Sequence, residues 1–415
     1  MTFSFDDKLA RYARLAVETG CALKKGQELF VAADVSQVAL VRHIVKCAYE
    51  VGASRVTTRF TDEAIVRYDY DYQPAEAFKT FPDWLALLQN GVAERGAALL
   101  FVTSEDPLAM TGVDPAKRMN RQIAAHEACR AWRDGMDFGR NVWCIIGGAS
   151  PAWAARVFPD LPEAEATAKL WEAIFATARC TGDDPAANWA AHQASFEEKK
   201  AWLNAQRFDA LHYANGLGTD FTIGLNPGHV WEGGGELTQD GTLFFPNMPT
   251  EEVFTTPDRA RANGVVYASM PLNHGGSLVD GFRVEFKDGR VVGCAAETGQ
   301  DVLEQIIGTD EGSHHLGECA LVPKTSPIKQ EGILFLNTLF DENAACHLAL
   351  GMGFPECLEG GRELESDELL ARGVNQSATH VDFMIGTDDL AIDGIKADGS
   401  VVPVFRDGTW ANERD

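Results

Sequence analysis

Over roughly its first 180 residues the chain alternates strand-like and helix-like stretches, and beyond Phe208 that alternation stops. Glu28-Leu29-Phe30-Val31-Ala32-Ala33 reads as a buried strand. Ser36 to Val51 follows, with apolar residues at positions 38, 41, 45 and 48, close to helical spacing, and Gly52 stops it as a residue just past a helix does. Arg55-Val56-Thr57-Thr58-Arg59-Phe60 is a second, alternating strand. Ala97 to Thr103 and Asn141 to Ile146 are apolar strands, separated by a helix from about Met119 to Arg133. Such alternation favours a mostly parallel sheet with helices on its faces.

From Glu163 to Gln206 the pattern is helical, interrupted at Thr181-Gly182-Asp183-Asp184-Pro185. Past Phe208, short strands are cut by turn signals such as Lys287-Asp288-Gly289-Arg290 and Arg406-Asp407-Gly408. Asp-Gly between alternating strands is a hairpin cue, so Phe282–Phe286 and Val291–Ala295 are expected to pair antiparallel. A chain of 415 residues exceeds one comfortable core. The expected architecture is an α/β N-terminal domain with a mostly parallel sheet over residues 1–183. An α+β C-terminal domain over 184–415 follows it.

A formal charge of −25 excludes the usual nucleic-acid binding, which depends on Lys and Arg neutralising phosphates. The same field attracts cations and the ammonium ends of peptides. No stretch offers about 18 uninterrupted apolar residues, and Met1-Thr2-Phe3-Ser4-Phe5-Asp6-Asp7 lacks a secretory pattern. The nine cysteines contain no Cys-x-x-Cys pair, which fits neither a disulfide framework nor a zinc knuckle. A reducing cytoplasm, with no membrane association, is expected.

Four segments of the second half gather carboxylates and imidazoles where turns meet short elements. They are Pro249-Thr250-Glu251-Glu252-Val253, Leu316-Gly317-Glu318, Asp341-Glu342-Asn343-Ala344-Ala345-Cys346-His347 and His380-Val381-Asp382-Phe383. Together they can bring three carboxylates and two histidines to one point. That mixture suits two divalent cations with bridging oxygens better than one structural zinc, which favours four closed Cys/His ligands. His380 and Asp382, two apart on a strand, would share one face while Val381 and Phe383 enter the core. Glu318 enters an apolar strand and needs a partner, because burying it ionised costs several kcal/mol. Glu251 and Glu252 are adjacent, so in an extended segment one faces inward and the other is solvated; the pattern does not choose between them. His347 is expected in a short helix capped by Asp341 and ended by Gly351.

Other candidates carry less. Gly147-Gly148-Ala149-Ser150 sits where a phosphate loop would, but lacks Gly-x-Gly-x-x-Gly or Gly-Lys-Ser/Thr. Gly233-Gly234-Gly235 reads as a tight loop, and His314-His315 as surface residues. The absence of Gly-x-Ser-x-Gly leaves a serine hydrolase unsupported.

In motif order, residues 208 to 395 resemble the M29 family of metalloaminopeptidases, the thermophilic aminopeptidase group. The segments that carry the resemblance are Asn247-Met-Pro-Thr-Glu-Glu-Val-Phe-Thr255, Leu316-Gly-Glu-Cys-Ala-Leu-Val-Pro323, Thr338-Leu-Phe-Asp-Glu-Asn-Ala-Ala-Cys-His-Leu-Ala-Leu-Gly351 and Asn375-Gln-Ser-Ala-Thr-His-Val-Asp-Phe-Met384. The resemblance implies a cytosolic homodimer acting on peptides with a free N-terminus. It places two divalent metal ions, zinc, cobalt or similar, in the C-terminal domain. Carried over residue by residue, it places the ligands at Glu252, Glu318, His347, His380 and Asp382. Glu318 or the neighbouring Glu251 would be the general base. Family members often place a tyrosine seven residues after the helix histidine; here that residue is Phe354, and no tyrosine follows Tyr267.

Overall fold

The computed structural model describes residues 3–413. The chain divides into two compact units, Met1–Ala191 with Gly235–Pro249, and His192–Gly234 with Thr250–Asp415. The division falls inside the Pro185–Gln206 helix, beyond the Thr181–Pro185 turn.

The first unit is the alternating region. β1 (Glu28–Asp34), β2 (Arg55–Thr61), β3 (Ala98–Thr103) and β4 (Trp143–Gly147) form a parallel sheet in the order 2-1-3-4. A two-residue strand, Asn247–Met248, extends it beyond β4. Helix Val38–Val51 ends at Gly52, whose φ of 104° is the left-handed conformation glycine adopts at little cost. The single helix expected from Met119 to Arg133 is two, Pro115–Ala128 and Arg130–Asp137. The break is held by Asn90, which donates to Ala128 O and accepts from Trp132 N in place of helical bonds. The Gly147–Ser150 turn is filled from within, since Gln37 Nε2 donates to the carbonyls of Gly148 and Ala149.

The second unit holds two large antiparallel sheets and a two-stranded hairpin, Leu272–His274 with Ser277–Val279. The larger runs, in spatial order, through Arg290–Ala295, Arg283–Lys287, Pro257–Tyr267, Asp220–Leu225, Ala210–Ala214, Ala391–Ile395, Val401–Arg406 and Thr409–Trp410. Its Arg283–Lys287 and Arg290–Ala295 strands are the expected hairpin, turned by Asp288 and Gly289 at φ 50° and 81°. The smaller sheet is built from β5 (Glu232–Gly233), β6 (Val253–Thr255), β7 (Leu316–Leu321), β8 (His347–Gly351) and β9 (His380–Met384). Each strand pairs antiparallel with the next, giving the order 9-8-7-6-5. One face packs into the unit's core through Val253, Leu316, Cys319, Leu321, Leu348, Leu350, Val381 and Phe383. The other face carries the polar side chains described next. Among the described residues, no helix is long and apolar enough to cross a membrane.

Candidate metal centre

β8 corrects one expectation: His347 opens a strand and does not lie in a helix. The Asp341 end of the motif is helical only over Thr338–Asp341, a 3-10 turn spans Glu342–Ala344, and the strand starts at His347. Every residue of β8 is buried, because it runs between β7 and β9 in the sheet. A short unbroken apolar run of this kind has no periodicity that separates a buried strand from a buried helix. Asp341 is no cap for His347 either. Its carboxylate accepts from Phe335 N and Asn337 N, and burial pushes its pKa up to about 7 against those bonds.

Strand alternation then sorts the side chains. On β9, Val381 and Phe383 enter the core while His380 and Asp382 share the opposite face. Glu318 projects from β7 and His347 from β8 to the same place. His347 Nε2 lies 3.0 Å from Glu252 Oε2 and 4.0 Å from Glu318 Oε1. His380 Nε2 lies 3.1 Å from Glu318 Oε2 and 3.2 Å from Asp382 Oδ1. Among the described residues, two groups bring ligand atoms within 4.8 Å of one another: Glu252, Glu318 and His347, and Glu318, His380 and Asp382. Glu318 belongs to both, one oxygen facing each imidazole.

The hydrogen bonds fix how the rings are presented. His347 Nδ1 donates to Ala345 O at 3.1 Å, and His380 Nδ1 to Met352 O at 2.8 Å. A carbonyl only accepts, so each Nδ1 carries the proton and each Nε2 is turned on the carboxylates. A neutral ring there aims a lone pair at anions. The cluster therefore requires cationic charge, as protons or as metal. Without metal, protons meet the demand. Burial opposes the charge on His347, but its bond to Glu252 and the surrounding carboxylates lift its pKa to about 10. His380 is raised in the same way, against burial, by Asp382 and Glu318. Burial raises Glu318 to about 7, with the His380 bond pulling down and Glu252 and Asp382 pushing up. Burial also works on Asp382, yet the charge on His380 outweighs it and holds its pKa low.

Asp382 Oδ1 is buried and has no hydrogen-bond partner, although His380 Nε2 is near; that nitrogen is directed at Glu318. A buried carboxylate oxygen left without a donor is costly in a protein-only environment and suits a cation. The donor set of three carboxylates and two imidazoles with Nδ1 engaged elsewhere fits divalent metal.

The two adjacent glutamates also depart from expectation. Glu252 faces the cluster, but Glu251 is not solvated. It is 7% exposed, with Oε1 3.8 Å from His192 Nε2 on the Pro185–Gln206 helix, which covers that side. Glu251 lies outside both ligand groups. Glu342 was not singled out by sequence reasoning and belongs beside the site. Burial, reinforced by the carboxylates of Glu252 and Asp382, pushes its pKa far up. Its signal was the Asp-Glu-Asn run, hidden by the helical reading of His347. His315 is buried, not on the surface, because Nδ1 bonds the carbonyls of Arg259 and Gly289 and burial lowers its pKa. The ring of Phe354 lies 5.0 Å from that of His380 and 5.4 Å from that of Phe254, and it brings no hydroxyl.

Known proteins resemble this chain over almost its whole length. A family profile described as thermophilic metalloprotease (M29) matches residues 5–410. The chain is 45% identical over 408 residues to aminopeptidase AmpS of Bacillus subtilis (strain 168), covering 98% of this chain and 99% of that protein. It is 43% identical over 407 residues to aminopeptidase T of Thermus thermophilus, covering 98% and 99%. The solved structure of wild-type AmpT from Thermus thermophilus superposes with a TM-score of 0.92 at 42% identity, over 98% of this chain and 100% of that one. A dioxygenase from Pseudomonas putida matches at a TM-score of 0.53 and 12% identity, over 99% of this chain and 98% of that one, a likeness of fold alone.

Proposed function

Because the chain belongs to the M29 family of metalloproteases, we propose that it is a metalloaminopeptidase that releases N-terminal residues from peptides at a dinuclear centre. The carrying observation is Glu318, whose two carboxylate oxygens face His347 and His380 separately. One cation would be held by Glu252, Glu318 and His347, the other by Glu318, His380 and Asp382. Zinc, cobalt or a similar ion suits the mixed oxygen and imidazole donors. Bound there, such a pair lowers the pKa of a water and polarises the scissile carbonyl.

The chain's own residues do the rest. Ala345 O and Met352 O hold the two rings with Nε2 inward. The sequence names Glu318 and Glu251 for the general base that takes the water proton; with both oxygens of Glu318 on the cations, Glu251 is left of that pair. Glu342, facing the same carboxylates, joins it. Acidic side chains around the centre favour the ammonium of a free N-terminus over a blocked one.

We place the enzyme in the cytoplasm as a homodimer. All nine cysteines are free thiols, which suits a reducing compartment. An apolar surface also stands open: Ile65, Tyr68 and Tyr72 on helix Glu63–Tyr72 are 60%, 58% and 82% exposed. Trp84 and Leu87, on helix Asp83–Glu94, are likewise 66% and 76% exposed; exposed apolar side chains of this kind are what a second subunit covers.

The test is metal content and cleavage of aminoacyl amides before and after chelation. Two divalent ions per chain are expected, with hydrolysis lost on their removal and regained on their return. Hydrolysis that survives complete metal removal would end the proposal.

A further inference from the structure

Of the five candidate ligands, only Glu252 lies outside a strand. Sheet pairing fixes Glu318, His347, His380 and Asp382, so something else must hold Glu252. Two hydrogen bonds grip the peptide group that leads into it. His192 Nε2 donates to Thr250 O at 2.8 Å. At the other end of the same peptide group, Glu251 N donates to Asn343 Oδ1 at 2.7 Å. Neither side chain is loose. Asn343 is fully buried, its Nδ2 donates to Leu339 O, and its own carbonyl accepts from Ser326 Oγ. The ring of His192 packs 4.4 Å from that of Phe196, one helical turn on. Gly233 closes the following peptide, where a β-carbon would lie 2.4 Å from Glu252 O.

We propose that His192 and Asn343 are positioning residues for Glu252. They govern the cation site of Glu252, Glu318 and His347 while leaving that of Glu318, His380 and Asp382 unaffected. Neither touches a cation; together they clamp the Thr250–Glu251 peptide that leads into the ligand, and outer-shell partners of this sort commonly set affinity. The inference rests on the dinuclear reading above. It also gives a role to the asparagine of the Asp-Glu-Asn run.

The experiment titrates zinc into the metal-depleted full-length protein against a chelating indicator, with thermal melting alongside. Wild type is expected to bind two ions. His192→Ala and Asn343→Ala should each keep one ion at wild-type affinity and bind the other about 10- to 100-fold more weakly. His192→Gln, which still offers an N–H to Thr250 O, should recover most of the loss. Should Asn343→Ala fail to fold, the His192 pair carries the test. Two ions at unchanged affinity in His192→Ala would overturn the inference, as would equal weakening of both sites. Fewer than two ions in wild type would instead overturn the dinuclear reading on which it rests.

Discussion

Two groups of acids, one in each unit, show why a count of carboxylates does not identify a site. In the first unit Glu63, Glu105 and Asp106 lie close together near the end of β3. Asp106 takes both arms of Arg156 at 2.9 Å, Glu105 accepts from Thr103 Oγ1 and Ser104 N, and Glu63 accepts from Asp106 N. Donors from the protein answer each of these acids. In the second unit Glu252, Glu318 and Asp382 face two imidazoles, and one buried oxygen finds no donor. What separates the groups is unmet demand for positive charge. A raised carboxyl alone does not mark the site, since burial lifts Glu63 to about 7 as it does Glu318, while Asp106 is held low by Arg156 and backbone bonds in spite of burial.

Replacing Glu318 with Gln should break the contrast most completely. The shared carboxylate loses its charge and one of its two oxygens, so it can no longer bridge both ions, metal content should collapse and hydrolysis fall more than about 100-fold. Elemental analysis and cleavage of an aminoacyl amide measure this. Glu105→Gln, tested the same way, should change neither.

The pH dependence of metal binding sharpens the contrast. In the metal-free protein His347 keeps its proton up to about pH 10, and a cation must displace it. The metal-free form therefore binds more protons than the loaded form, and affinity rises with pH. Between about pH 6 and 8 the increase should approach tenfold per unit for each proton displaced. Calorimetry in buffers of different ionisation enthalpy counts the protons; a flat profile would contradict the arrangement.

Gly233→Ala acts on the second unit alone. Its φ of 151° is one that residues with a side chain rarely adopt, and the added methyl would also strike the Glu252 carbonyl. A loss of about 1–3 kcal/mol in stability is expected by denaturant unfolding, with weakened hydrolysis. Arg156→Ala probes the satisfied acids and should do least. The pair is partly exposed, so about 1 kcal/mol or less is expected, with metal content unchanged.

Much of this was legible in the residues. The period-2 pattern of His380-Val381-Asp382-Phe383 gave the strand, its face and its two polar side chains together. Glu318 was found because a carboxylate entering an apolar strand needs a partner. Gly52 and Asp288-Gly289 marked a helix end and a hairpin through backbone angles that few other residues adopt. The misreadings share a cause: the neighbours that decide the local state are distant in sequence. His347 looked helical because β7 and β9, which bury it, come from remote segments. Glu251 was expected in water because nothing nearby in sequence announces the helix bearing His192. The burial of His315 is not legible in its own segment, because the carbonyls of Arg259 and Gly289 that bond it come from elsewhere in the chain. Glu342 was lost as a consequence of the His347 reading.

The two residues Asn247 and Met248 guard an exposed rim. They cover the outer side of β4, where Ile145 N also donates to Pro246 O. A polypeptide stopped between the end of β4 at Gly147 and residue 235 would keep the four main parallel strands yet leave that rim bare. Unpaired backbone there is a template for strands of other molecules. Such a half-length product is expected to clump, however sound its interior, so proteolysis or early termination upstream of this short segment would yield sticky debris and not a free-standing domain.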